Sequence, residues 1–294
     1  MKRLIVLLTV ALMLSASAAV AVPALVDVTV IAHRGASGVR PENTESAFRA
    51  AAARGVYDWE ADFRCTSTGT LVAAHDMRWD KQSTGTGLVR SRSWSYVKKQ
   101  RARRAGVASR TLPERWLDEP HIHLADTLAL VDEYGATLHY DSKTRDCETK
   151  ALRVLQEAYE SGIDIVFGPY NDAQRQLALD TTTLPLVSGH ITEPASELDS
   201  TSEARAAVDA ETQGEEDWER RILWISVRHD SVTPELVSAA HAEGRLLRVW
   251  TLRREPEFLP PGYATMAEHV RALHEQTQLD GIVTDNPDSR NTGI

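Results

Sequence analysis

The chain has 294 residues, 26% of them charged and 42% hydrophobic, and a formal net charge of −9. That acidic balance argues against a nucleic-acid binder, which needs a basic face to neutralise phosphates.

Met1-Lys2-Arg3, an apolar run at 4–14 and small residues at 15–21 have the three parts of a secretory signal peptide. The apolar run is too short to span a bilayer. Removal after Ala18 or Ala21 is expected, leaving a secreted or periplasmic protein without a transmembrane segment. About 270 residues then remain, enough for two small domains or one α/β barrel. No Gly/Ser/Pro-rich linker divides 22–294, so one domain is expected there.

A continuous β-branched apolar run at 26–32 predicts a strand buried on both faces, ending in His33-Arg34-Gly35. After Pro41-Glu42-Asn43-Thr44 the pattern predicts a helix over 45–54, stopped by Gly55, and a strand over 56–62. Glu60 and Asp62 are two apart, so in a strand both carboxylates point to one face. Ser67-Thr68-Gly69 is turn chemistry. Folding back around Thr68 pairs residues whose numbers sum to 136, makes 71–74 the return limb, and sets His75 opposite Ala61, beside the two acids.

Residues 76–124 are irregular and polar, an insertion with the basic cluster Lys98, Lys99, Arg101, Arg103 and Arg104, read as a solvated face. Alternation then resumes, with helices at 125–133, 149–160 and 172–179 and strands at 137–141, 163–167 and 184–188. The stretch 193–220 is acidic and alanine-rich, with helical potential and the composition of a mobile segment. Strands at 222–227, 246–252 and 281–284 follow, separated by a helix opening at Thr233-Pro234 and closing at Gly244, and by another at 266–276. Nine strand candidates result, one more than a closed (β/α)8 barrel needs. An open doubly wound sheet is the competing fold. Polar residues follow the apolar stretch of nearly every strand, and a barrel gathers those ends into one mouth.

Those ends supply a coherent set. Glu60, Asp62 and Asp141 offer hard oxygen ligands for one divalent cation, Ca²⁺ or Mg²⁺. Arg34 and Lys143 would neutralise charge on phosphate oxygens, while His33 and His75 divide proton removal from proton donation. Cys65 and Cys147 are an even count, which suits a disulfide in an exported chain and equally two thiols if their loops do not meet. The remaining histidines, His121, His123, His139, His190, His229, His241, His269 and His274, read as surface or satisfied core residues, and Trp59 and Trp79 as packing.

Ala-His-Arg-Gly-Ala-Ser-Gly-Val-Arg-Pro-Glu-Asn-Thr-Glu-Ser-Ala-Phe at 32–48 strongly resembles the opening signature of the glycerophosphodiester phosphodiesterase family. Glu60-Ala61-Asp62, Ala74-His75-Asp76, Ser83-Thr84-Gly85-Thr86-Gly87, Val249-Trp250-Thr251 and 280–287 resemble later family motifs, so the likeness runs along most of the chain. It implies a TIM-type barrel that uses a divalent metal to hydrolyse deacylated phospholipids such as glycerophosphocholine or glycerophosphoethanolamine. The products would be glycerol 3-phosphate and an alcohol.

Carried over by position, the resemblance makes His33 and His75 the acid–base pair, Arg34 and Lys143 the phosphate contacts, and Glu60, Asp62 and Asp141 the metal ligands. Glu42 and Asn43 become supports, and Trp250 faces the substrate. Asp141-Ser142-Lys143 departs from the family, which places the longer Glu there. It is similar to the sphingomyelinase D group, which cleaves a head group and leaves a cyclic phosphate but lacks the Pro-Glu-Asn-Thr segment. A non-catalytic exported barrel that binds a phosphorylated ligand is the alternative from another class.

Overall fold

The computed structural model describes residues 28–103, 118–191, 196, 200–212, 222–253 and 261–288. The expected signal peptide, Arg104, and much of 193–220 lie outside the described residues, as does the side chain of His190.

Strands and helices alternate along the chain: β1 (Thr29–Ala32), α1 (Glu45–Ala52), β2 (Asp58–Cys65), β3 (Leu71–Ala73), α2 (Leu124–Tyr134), β4 (Thr137–Ser142), α3 (Glu148–Glu160) and β5 (Asp164–Gly168). There follow α4 (Asp172–Thr181), β6 (Leu186–Ile191), α5 (Thr201–Thr212), β7 (Ile222–Arg228), α6 (Pro234–Ala242), β8 (Leu246–Leu252), α7 (Met266–Thr277) and β9 (Gly281–Thr284). Neighbouring strands run β1-β9-β8-β7-β6-β5-β4-β2, all parallel, and pairing of Ile31 with Asp58 and Ala32 with Trp59 closes the ring. This is a closed eight-stranded barrel of the TIM type, not an open sheet.

The surplus ninth strand is β3, which pairs antiparallel with β2 and is no member of the ring. Its register is Phe63 with Ala73, Arg64 with Val72 and Cys65 with Leu71, the expected sum of 136. On β2 one edge is taken by β4 up to Phe63, so β3 continues along the edge that β1 leaves after Trp59. That hand-over carries β2 three residues beyond its expected end at Asp62 and brings the residue after the return limb, His75, towards the mouth.

Strand alternation sorts the side chains. On the outer face, Phe63, Tyr140 and Phe167 stack at centroid distances of 4.6 and 5.5 Å, within the large core between strands and helices. On the inner face, Val166, Val187 and Trp224 pack with Leu246. Beside them Arg248 Nη1 donates to His139 Nδ1 (2.9 Å), and His139 Nε2 donates to Asp58 (3.1 Å). His139 is therefore a satisfied interior residue.

Helix ends follow local chemistry. Thr44 caps α1, His123 and Asp126 form a reciprocal capping box on α2, and Thr233 with Pro234 opens α6. The insertion is more ordered than its composition suggests. Trp79, Val89 and Val97 pack with Val72 and Ala74 of the return limb, giving it a small core of its own. Among the described residues no helix is long and apolar enough to cross a membrane.

Candidate active site

The register of β2 and β4 places Asp62 beside Asp141, and Glu60 lies two residues back on the same face of β2. Parallel neighbours stand about 4.8 Å apart, so the three acids share one spot. One carboxylate oxygen from each lies within 4.8 Å of the others, and among the described residues no other set of three such groups does so.

A cation would suit them. Asp62 Oδ1 is buried without a hydrogen-bond partner, and Lys143 Nζ lies 3.4 Å from it. Burial and the charges of Asp62 and Asp141 push the Glu60 carboxyl well above its ordinary range. Burial opposes ionisation of Asp62 too, but Arg34 and Lys143 outweigh it and keep that carboxyl ionised. Carboxylates that repel one another, one of them with an unpartnered buried oxygen, form a donor set that a hard divalent ion would complete. The shorter Asp141 side chain still reaches, although it also holds Lys143 Nζ at 2.8 Å.

The first loop builds the second wall. Arg34 and Asn43 both have positive φ, 56° and 57°, a conformation that costs non-glycine residues energy and persists only where its surroundings hold it. Here they hold each other, since the Asn43 N–H donates to the Arg34 carbonyl (3.0 Å). Each also serves an acid: the Arg34 N–H donates to Glu60 Oε2 (2.8 Å), and Asn43 Nδ2 donates to Asp62 Oδ2 (2.9 Å). Between them, Gly35 (φ 74°) passes so close to α1 that an added Cβ would meet the Ala47 backbone at 2.7 Å. Arg34 is buried, and its guanidinium pairs with Glu42 at 2.9 Å and Asp62 at 3.0 Å. It thus stands in the ion pairs that compete with a phosphate-binding role, at the site where that role would be exercised.

The two imidazoles are held alike. His33 Nδ1 lies 2.5 Å from Asp285 Oδ1, and His75 Nδ1 lies 3.0 Å from Asp76 Oδ1. An ionised carboxylate only accepts, so each Nδ1 carries the proton and each Nε2 is left to exchange one. His33 Nε2 is 4.0 Å from Glu60. Burial lowers the His75 pKa, with Asp62 opposing. Arg64 fixes the same region, donating through Nε to the His75 carbonyl (2.7 Å) and through Nη1 to that of Lys143.

His33, His75, Arg34, Lys143, Glu42, Asn43, Glu60, Asp62 and Asp141 are therefore brought together. Trp250 is half-buried near the C-terminal end of β8, where its carbonyl accepts the N–H of His229. Cys65 and Cys147 are joined, with Cα atoms 6.0 Å apart, and tie the end of β2 to the start of α3. Asp285 was not singled out from sequence, although it stands inside the matched stretch 280–287. It accepts from Ser37 (3.0 Å) and Arg253 (3.1 Å) as well as His33. Burial alone would raise its carboxyl, but His33, Arg253 and Arg34 hold it down to about 2.

Comparison with known proteins identifies a family and a shared fold. The model of the glycerophosphoryl diester phosphodiesterase family matches residues 33–289. A probable glycerophosphodiester phosphodiesterase 1 of Mycobacterium tuberculosis is 52% identical over 60 residues, 20% of this chain and 22% of the relative. Human glycerophosphodiester phosphodiesterase 1 is 31% identical over 132 residues, 45% of this chain and 38% of the relative. The matches therefore span well under half of these relatives' length. Two solved structures share the fold. The glycerophosphodiester phosphodiesterase of Agrobacterium tumefaciens has a TM-score of 0.66 at 20% identity, over 90% of this chain and 100% of that one. An Oleispira antarctica phosphodiesterase in complex with the product sn-glycerol-3-phosphate has 0.64 at 19%, over 88% and 93%.

Proposed function

Because the chain belongs to the glycerophosphoryl diester phosphodiesterase family, we propose that it hydrolyses glycerophosphodiesters, such as glycerophosphocholine or glycerophosphoethanolamine, to glycerol 3-phosphate and an alcohol. The observation that supports this best is the convergence of two carboxylate-anchored imidazoles on one acid cluster that also holds Lys143 and Arg34. A module that only bound a phosphorylated ligand would have no use for two proton carriers.

Glu60, Asp62 and Asp141 would hold one divalent cation, Ca²⁺ or Mg²⁺, which supplies positive charge to a phosphate oxygen when bound. Lys143 and Arg34 balance the charge that grows on the other phosphate oxygens. One imidazole takes a proton from the attacking hydroxyl or water through Nε2. The second gives a proton to the departing alkoxide, which leaves poorly without it. Asp285 and Asp76 keep Nδ1 protonated and fix the direction of each ring. Glu42 orients Arg34, Asn43 orients Asp62, and Trp250 faces the substrate from the β8 rim. The signal-peptide pattern at 1–21 supports a reaction carried out after export, in a periplasm or outside the cell.

The test is to incubate the purified protein with glycerophosphocholine, with Ca²⁺, with Mg²⁺ and with a chelator, and to follow products by phosphorus NMR. Glycerol 3-phosphate with equimolar choline, lost with the chelator, is expected. Release under no condition favours the binding module, and a persistent cyclic phosphate favours head-group cleavage of the sphingomyelinase D kind.

A further inference from the structure

Beside the acid cluster the mouth opens into a hollow of about 480 Å³, between the insertion and the loops that follow β4 and β5. That lies within the ~300–1,000 Å³ usual for small-molecule sites. The hollow begins at the proposed machinery. Lys143 lines it, and so does Arg64, the residue that pins the carbonyls of His75 and Lys143. The hollow therefore adjoins the acid cluster at Lys143 and the His75 backbone at Arg64.

Its wall is cationic although the chain as a whole is acidic. Arg90 reaches in from the insertion and Arg145 from the loop after β4, joining Arg64 and Lys143, while Asp146 is the one acid in the lining. Neither Arg90 nor Arg145 has a carboxylate partner among the described residues, and Arg145 stacks over Tyr170 at 5.7 Å. The apolar part of the hollow is open as well, with Met77 65% and Tyr170 46% exposed. Choline or ethanolamine would bring a like charge into this wall. A phosphate or phosphodiester would find unpaired guanidinium groups with apolar walls for its carbon skeleton.

We propose that this hollow is the subsite for the departing alcohol, and that it selects glycerophosphodiesters whose alcohol half is itself anionic. This rests on the hydrolysis proposed above and names the substrate class of the same site. Water adds its oxygen to phosphorus, the bond from phosphorus to the alcohol oxygen breaks, and the alcohol leaves with a proton, its remaining phosphate held by Arg90 and Arg145.

The test compares kcat/KM of the purified full chain on bis(glycerophospho)glycerol, whose alcohol half carries a second phosphodiester, and on glycerophosphocholine. Wild-type protein is expected to favour the former by about tenfold or more, and the preference is expected to shrink with added salt. In an Arg90→Gln/Arg145→Gln variant the ratio should fall about tenfold, and Arg145→Lys should keep part of it, since charge remains without the fork. Equal or better use of glycerophosphocholine, or a ratio unmoved by the substitutions, overturns the proposal. If neither diester releases glycerol 3-phosphate, the hydrolysis reading fails by itself. Calorimetric binding of glycerophosphoglycerol then judges the subsite: tighter binding by wild type than by the double variant supports it, and equal binding or none refutes it.

Discussion

His33 Nδ1 meets Asp285 Oδ1 at 2.5 Å across 252 residues of sequence, joining the end of the first barrel strand to the end of the last. The two strands are neighbours in the closed ring, with Ala32 paired to Thr284, so barrel closure itself forms the dyad. Asp285→Asn should keep the fold but lose the fixed tautomer of His33. We expect kcat to drop by ~10² or more with a smaller change in KM, as when an acid–base histidine loses its orienting carboxylate. Steady-state kinetics at several pH values check this, and an unchanged kcat and pH profile would make Asp285 structural only.

The cation should be visible without turnover. A ligand bound only to the folded state at 100 times its dissociation constant stabilises by ~2.7 kcal/mol, so Ca²⁺ or Mg²⁺ should raise the wild-type melting temperature. Asp62→Asn should abolish most of that rise. An equal rise in the variant would place the ion elsewhere.

Acid should weaken the insertion through His121. Its ring is buried against Trp79 (4.7 Å) with Nε2 bonded to Ser83 Oγ (2.7 Å), and burial, helped by Arg101, lowers its pKa to about 4. The unfolded chain binds this proton near pH 6.5 and the folded chain only near 4. Stability is therefore full above about 6.5 and falls as pH drops from there to about 4, by up to roughly 3 kcal/mol. Urea titrations at pH 7.5 and 5 should show this loss in wild type and a smaller one in His121→Gln. Equal losses would remove His121 as a cause.

Reduction should cost stability at the mouth. The bond between Cys65 and Cys147 closes a loop across 82 positions and anchors α3 to β2. A Cys65→Ser/Cys147→Ser variant should lose ~2–5 kcal/mol in urea unfolding. A loss below about 0.5 kcal/mol, the scatter of neutral surface changes, would contradict a stabilising role.

Much of the barrel was legible because strand and helix periods are local properties. β8 and β9 begin and end where their apolar runs do, and the return limb kept its expected register because a turn at Thr68 leaves few other pairings. What escaped depended on tertiary contact. β2 runs on to Cys65 because β3 supplies a partner, which no periodicity within 56–62 reveals. The insertion looked merely polar because its core is a few spaced residues, Trp79, Val89 and Val97, that bury themselves only against the return limb. At the site, acids and histidines declare their chemistry by type and position. The roles of Asp285, Arg64 and the left-handed Arg34 and Asn43 are relations to distant partners, which strand and helix patterns do not carry.

The most direct test of the account is glycerol 3-phosphate release from one diester by wild type, His33→Ala and His75→Ala, each shown by thermal unfolding to be folded. If both imidazoles serve one phosphorus centre, each variant should lose ~10²–10⁴ in turnover. Wild-type turnover in either folded variant would contradict it.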